Sequence, residues 1–521
     1  MLRPAIDRVL HDKDGWRLDR LVTGFGVLLV VLVIVALPFP LDAALLAAPL
    51  VAVVLLVHPV LMPLGILASV PVQDLAPVPE GVPLTATRAA VAGSLAIAPI
   101  LIFGRIVAFR FSRFILIGVL YVATLAVSLW SVDTPATGYP EIYRWIIALL
   151  AFWLVLQFIR TRRQVIATLL LMAGIAIVQG VLGALQALLG IGPESFEIGP
   201  GFSRAYGTFG MPNSYAAYIE IVALPLIPVT VWALIETWRR FGAFRRARVA
   251  GFLASTQERR GLVLIVVATL VLGAGAAAGM AGMAMSFSRG GWLGTAAALF
   301  VMVILLGRRT VVASTITAFA IGIVLFAGAS GTVLTVLEDR FSQLVEQAQI
   351  GDIRGVPVTD ENFAAVERMA HWQTAIAMWD SSPWTGIGVG EFDNRFKEFA
   401  VHPDFIDSQG HAHNYYLHVL AETGVLGLLA YLALIGAGFW VGWRAYRSPD
   451  GLASAIGIGA IGVTTALTVH NMFENLHVLN ISIQLMAVWA LAVIVTLRDF
   501  TVSRYREASN RETHMLYDFS R

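Results

Sequence analysis

The stretch GHAHNYYLHVLAETGVLG, Gly410 to Gly427, passes from a polar end carrying His411 and His413 into an apolar helix within a few residues. Imidazole takes up and gives back protons near neutral pH, so two of them at such a boundary are candidates for general acid–base work. Ionisable groups at a membrane edge are costly to keep there without a role. If the helix begins near His413, its 3.6-residue period puts His413, Tyr416, Leu420, Gly424 and Gly427 on one stripe, with Asn414 and His418 on the next. The two glycines would then let another helix pack closely. The plainer alternative is a set of interfacial polar residues with no chemical part.

Arginine offers the second kind of chemistry, because its planar fork grips two phosphate oxygens at once. Arg204 in GPGFSRAYGTFGMPNSYAAY, Arg289 in SFSRGGWLG and Arg368 in the segment before the histidines stand apart from the chain's basic clusters. A pyrophosphate held at a membrane surface would need two or more such groups. Each alone is equally readable as an ion pair with a loop carboxylate or a lipid headgroup. Arg340, Arg354 and Arg395 sit among acids and read as surface charge. The GIGVG of Gly386 to Gly390 lacks the strand before it and the GK[ST] after it that a phosphate loop requires, so it reads as a turn. His402, Asp404, Asp407, His411 and His413 include metal-ligand types, but their spacing fits no zinc pattern and no metal is expected. His470, Glu474 and His477 either face the same cavity or form a solvated turn.

Elements must hold these residues in place. The chain is 58% hydrophobic and 13% charged, with a mean hydropathy of +0.77, which marks a polytopic membrane protein. A net charge of +2 gives no sign of nucleic-acid binding, and the lack of cysteine excludes thiol chemistry and disulfides. The basic residues alternate between rich and poor loops, the positive-inside pattern. Spans are predicted near 21–37, within 43–70 as a hairpin turning at His58-Pro59, and near 89–104, 114–131, 141–159, 164–190, 214–235, 262–284, 291–307, 310–328, 414–443, 452–470 and 481–497. The first reads as an anchor, since no small-residue cleavage site follows it. The expected fold is all-α, a polytopic transmembrane helix bundle of about 12 to 14 spans, with both termini cytoplasmic and 1–521 forming a single integral membrane domain. Loops 191–213 and 329–413 then lie outside. The second carries Val366, Met369, Ile376 and Trp379 at helical spacing up to Ser382-Pro383, so it is expected to be a mostly helical cap.

The segment from Arg368 to Gly427 reads R-x-x-x-W, then P-W-x-G-I-G-x-G-x-F, then HAHN-x-x-L-x-x-x-A-E-T-G-x-L-G. It resembles the core of the O-antigen ligase and polymerase superfamily of bacterial envelope glycosyltransferases, with the core motif region at 365–443. His413-Asn414, nine residues, Gly424, two residues and Gly427 are similar to the ligase-type pattern H-[NSQ]-x9-G-x-x-[GTY]. RAYGTFGMPNSYAAY and SFSRGGWLG resemble two further blocks of that superfamily, Met211 departing from the Asn usual before Pro-Asn.

The resemblance implies a GT-C type, inverting glycosyltransferase of the bacterial plasma (inner) membrane, needing neither metal nor cofactor. It would move a glycan from undecaprenyl diphosphate to an acceptor hydroxyl on the outer face. It implies His413 as general base, and Arg289, Arg204 and Arg368 as ligands of the donor diphosphate. His411, Asn414, Tyr416 and Glu422 would support the acceptor side, and Gly424 and Gly427 would pack the helix. A ligase takes lipid A core as acceptor, whereas a polymerase takes another carrier-linked repeat unit. The pattern favours the ligase, and protein O-oligosaccharyltransferases share the same block. The partners implied are the lipid-linked donor, a glycan or lipid A core acceptor and membrane lipid, with no nucleic acid. The non-enzyme alternative is a small-anion, bicarbonate-like transporter, which would place its polar residues at broken helices near the midplane.

Overall fold

The structure, a computed structural model, describes residues 41–73, 85–132, 134–199, 201–249, 256–307, 351–359 and 362–497. The spans expected at 21–37 and 310–328, residues 329–350 with Arg340, and the basic tail lie outside the described residues. The chain divides into two compact units, Met1–Arg110 with Leu154–Arg160, and Phe111–Trp153 with Thr161–Arg521.

The smaller unit contains α1 (Leu41–Val57), α2 (Leu61–Ser69) and α3 (Ala86–Phe103). The chain breaks at His58-Pro59, where proline supplies no N–H to continue a helix. The break falls where the hairpin expected over 43–70 turns, but its two limbs are unequal. The second apolar limb, Leu61–Val72, rises only about 18 Å at 1.5 Å per residue, short of a hydrocarbon core of about 30 Å. Ser69 Oγ meets Thr87 Oγ1 at 3.1 Å and joins this limb to α3.

The larger unit contains α4 (Phe114–Ser128), the first part of α5 (Tyr139–Phe158), α6 (Arg162–Leu188), α7 (Pro212–Ala223), α8 (Leu226–Val249), α9 (Thr256–Met285) and α10 (Arg289–Leu306). After these come α11 (Phe363–Ser381), α12 (Phe396–Phe399), α13 (Tyr415–Tyr446), α14 (Gly451–His470) and α15 (Ser482–Ile494). Its small sheet pairs β1 (Glu197–Gly199) with β2 (Phe202–Ser203). Among the described residues nine helices are long and apolar enough to cross a membrane, and the molecule is an all-α polytopic bundle.

Small residues set the close packing. On α9 and α6, a Cβ at Gly275 would stand 2.7 Å from Ala173 Cα, and one at Gly180 would stand 2.2 Å from the Ala278 carbonyl oxygen. The backbones therefore approach where side chains are absent. On α13 and α14, a Cβ at Gly457 would lie 2.6 Å from the Gly442 carbonyl oxygen. Arg162 pairs with Asp450 at 2.8 Å and joins the starts of α6 and α14. Asp450 also caps α14 by accepting from the Ala453 N–H.

Two predicted spans change form. The single helix expected over 214–235 is interrupted at Leu224-Pro225 into α7 and α8, because Pro225 has no N–H to give. The last span contracts to α15, 13 residues long and buried on every side from Ser482 to Ile494, which makes it a core helix.

The described residues of 351–414 are built on α11, which packs on α13, with the short α12 and connecting turns around it. Its buried stripe is Val366, Ala370, Thr374 and Met378. Of the stripe expected from sequence, Val366 is buried, Met369 and Trp379 are half-buried, and Ile376 faces outward. Apolar residues occupy two faces of α11, and the face with the smaller residues is the one that approaches the core.

Candidate active site

Four connecting segments of the larger unit converge: 204–213, 286–290, 411–415 and 470–477. The first is fixed from α6 by two glutamines. Gln186 Oε1 accepts the N–H groups of Tyr206 at 3.1 Å and Gly207 at 2.7 Å, and Gln179 donates to Thr208 Oγ1 at 3.1 Å. Ala205 N–H reaches the Met285 carbonyl at 2.8 Å, linking this loop to the end of α9. Tyr415 N–H donates to the Asn471 carbonyl at 2.8 Å and links the start of α13 to the end of α14.

His413 lies just before α13, not in it. Its φ of 49° is a left-handed conformation that costs roughly 1 to 2 kcal/mol for a residue with a side chain. Asn414 follows as the N-cap, its side chain accepting from Leu417 N–H at 3.1 Å. Phe287, before α10, has φ 50°, so the elbows carrying His413 and Arg289 are both strained.

Glu474 organises the cluster. Its Oε1 lies 3.2 Å from His411 Nε2 and 3.5 Å from His413 Nδ1, the latter a close contact that falls short of a hydrogen bond. Its Oε2 accepts from Asn213 Nδ2, and Asn213 Oδ1 in turn accepts from Arg204 Nη2 at 3.0 Å. Burial alone would raise the Glu474 pKa. The close approach of the His413 and His411 rings and the positive charge of Arg368 outweigh it, so the carboxyl is held well below its usual range. His371 walls the other side, its ring 5.3 Å from that of His413. Its Nδ1 contacts the Glu367 carbonyl at 2.8 Å, and its Nε2 accepts from Gln409 N–H at 3.2 Å.

His411 is a neutral donor. Its Nδ1 accepts the His413 backbone N–H at 3.1 Å, which leaves the ring proton on Nε2, facing Glu474. Burial lowers its pKa to about 4. The ligand atoms of His411, His413 and Glu474 lie within 4.8 Å of one another, near enough for a divalent ion. That use would need a bare Nε2 on His411, and the tautomer set by the His413 N–H works against it.

The shift of His411 has a sign. Between its ordinary value near 6.5 and about 4, the unfolded chain binds a proton that the folded chain refuses, so stability is complete above the upper value and falls with acid. His411→Gln is expected to flatten the fall in melting temperature of the detergent-purified protein between pH 7 and pH 4.5. Parallel curves for variant and parent would count against the assignment.

Arg204, Asn213, Ser288, Arg289, Arg368, His470 and Glu474 are among the residues lining one open cleft. Arg289 is the first residue of α10, after the N-cap Ser288 whose Oγ accepts from Gly291 N–H at 3.4 Å. A helix start, with its unpaired N–H groups and positive dipole end, suits an anion. Arg204 Nε donates to the Ser286 carbonyl at 3.0 Å, so that guanidinium is held at the cleft edge. The three arginines singled out from sequence thus meet at one cleft, and His411 and His413 adjoin it through Glu474.

The expectations for α13 fare differently. Because α13 starts at Tyr415, no helical stripe includes His413. Tyr416 donates to the Thr468 carbonyl at 2.8 Å, and buried Glu422 accepts from Phe392 N–H at 3.1 Å; like His411 and His413, they and the capping Asn414 are not among the residues lining the arginine cleft. Gly424 and Gly427 do not receive another helix. Gly424 has φ 63° and ψ −166° and interrupts α13; a Cβ there would stand 2.3 Å from the Trp384 carbonyl carbon. A Cβ at Gly427 would meet Thr423 Oγ1 of its own helix at 1.8 Å. The break admits the PWTGIGVG loop: Ile387 and Gly388 N–H groups donate to the carbonyls of Ala421 and Glu422 at 2.9 and 3.0 Å, and Val425 N–H donates to Pro383 at 2.9 Å. Sequence reading missed His371, Asn213 and the two glutamines, and left Glu474 open. The charge of Glu474, the sole acidic or basic residue besides histidine between positions 451 and 497, was the one available signal.

A multi-pass helical membrane protein with a carboxylate-backed imidazole pair beside an arginine-lined cleft is the class that fold and site define. Residues 274–432, about a third of the chain, match the family model described as O-antigen ligase, which supports a glycosyltransferase-like function in polysaccharide biosynthesis. The match includes Arg289, Arg368, His411 and His413, and stops before His470 and Glu474. No curated protein matches the chain.

Proposed function

We propose that the protein transfers a glycan from a polyprenyl diphosphate to an acceptor hydroxyl at the outer face of the bacterial inner membrane, with both termini inside. The observation that carries this is the continuous polar chain from Arg204 through Asn213 to Glu474 and the two histidines, because it couples a phosphate-type cleft to a proton acceptor. With Nδ1–H turned to Glu474, His413 has Nε2 free to take the acceptor's hydroxyl proton. The freed oxygen attacks the anomeric carbon from the side opposite the diphosphate. As that bond forms, the carbon–oxygen bond to the diphosphate breaks and its electron pair leaves with the polyprenyl diphosphate, inverting the centre. Glu474 stabilises the imidazolium that results, the part a buried carboxylate plays behind a catalytic histidine. Arg289, Arg204 and Arg368 meet the negative charge gathering on the leaving group. The reading needs no metal.

The ligase-type spacing from His413 to Gly427 favours lipid A core, or a comparable glycolipid, over a growing repeat-unit chain as acceptor. An assay offering one defined lipid-linked oligosaccharide to both acceptor types decides between them by the product formed. For the donor side, Arg289→Ala is expected to weaken donor binding by about tenfold to a hundredfold, the worth of a charge-assisted contact of roughly 1.5 to 3 kcal/mol. Binding of the intact donor and its KM are the readouts. Unchanged affinity together with unchanged rate would remove Arg289 from the site.

A further inference from the structure

At the wall of the cleft, which His470 itself lines, lies a second imidazole–carboxylate pair that the reaction above does not use. His470 Nδ1 is 2.8 Å from Glu220 Oε2, with the two residues 0% and 2% exposed. Glu220 Oε1 also accepts from Thr295 Oγ1 at 3.2 Å, and His470 Nε2 lies 3.5 Å from Ser288 Oγ. The pair is therefore wedged beneath the first turns of α10, the helix that begins with Arg289.

Two glycines of SRGGWLG are explained by that wedge. A Cβ at Gly290 would stand 2.5 Å from His470 Cδ2, and one at Gly294 would stand 2.9 Å from Glu220 Oε1. On α7, Asn213 and Glu220 are seven residues apart and so share a face. That face makes two rungs to one segment, Asn213 to Glu474 and Glu220 to His470. The pair thus joins three of the pieces that line the cleft: α7, the start of α10, and the 470–474 turn at the end of α14.

We propose that Glu220 and His470 are positioning residues for donor binding, fixing the start of α10 and its Arg289 against Glu474. Stability alone is a poor reason for them, since a buried ion pair is commonly no better than apolar side chains of similar volume. What the pair supplies is a directional link, and it falls where two phosphate-facing segments must keep register. The inference rests on the diphosphate reading of Arg289.

The test uses the full-length protein, with Glu220→Leu, Glu220→Gln and Thr295→Val, and measures donor KM, acceptor KM and kcat with a defined polyprenyl-diphosphate oligosaccharide. Glu220→Leu is expected to raise donor KM about tenfold, as for loss of one buried directional contact, with acceptor KM unchanged. Glu220→Gln, which still accepts from His470, should recover most of that loss. Should Glu220→Leu fail to fold, Thr295→Val carries the test, with an expected rise in donor KM of about threefold. A purely structural pair would lower the melting temperature and leave donor KM at the parent value in every variant that folds, and that result overturns the proposal. Arg289→Ala, run beside them, separates the two levels. If it also leaves the donor untouched, the diphosphate reading fails; if it alone raises donor KM, only the positioning role fails.

Discussion

His413→Ala is expected to lower the turnover number by about a hundredfold to ten-thousandfold, the range for losing a general base, with membrane insertion and donor affinity close to those of the parent. The left-handed backbone at this position, φ 49°, complicates alanine alone. His413→Asn provides the control, because asparagine tolerates that conformation better than other side chains yet cannot serve as a base near neutral pH. Both variants should be equally inactive under saturating donor and acceptor. Activity in the asparagine variant, with loss only in alanine, would show that the backbone and not the imidazole matters at 413.

The second large effect is expected at Glu474. Glu474→Gln keeps the volume but places an amide where Asn213 and His411 both present N–H groups, so one donor must face another. It also removes the charge that would stabilise His413 once protonated. In a comparable histidine–carboxylate arrangement, replacing the carboxylate by its amide, which holds the histidine in the wrong tautomer, costs roughly ten-thousandfold in kcat. A fall of about a hundredfold or more is expected here, with donor KM changed far less than kcat. Glu474→Asp, which restores the charge at a shorter reach, should recover part of the rate. A glutamine variant with parental kcat would reduce Glu474 to a structural contact.

What sequence disclosed followed from local rules. Apolar runs and charge alternation are near-neighbour properties, so most helices were legible, including α4, α9 and α14. Their failures have local causes as well: Pro225 splits a run that hydropathy reads as continuous, and Leu61–Val72 is apolar but too short to cross. The site was legible only in part. His413 and the arginines announce themselves by standing where charge is costly. Glu474, Asn213, Glu220 and His470 act through partners far away in sequence, 250 residues in the case of Glu220 and His470, and no spacing rule links them. Gly424 shows the reverse fault. Its period with Gly427 suggested helix packing, whereas the positive φ that glycine permits serves to open α13 for the loop at 383–388.

The most direct test of the account is a single reaction. Purified protein is given a defined undecaprenyl-diphosphate oligosaccharide and a glycolipid acceptor, and both the elongated acceptor and the released lipid carrier are quantified for the parent and for His413→Ala. The account predicts one released undecaprenyl diphosphate for each glycan transferred, a product of inverted anomeric configuration, and neither in the variant. Transfer by His413→Ala at the parental rate, or a product with retained configuration, would contradict it.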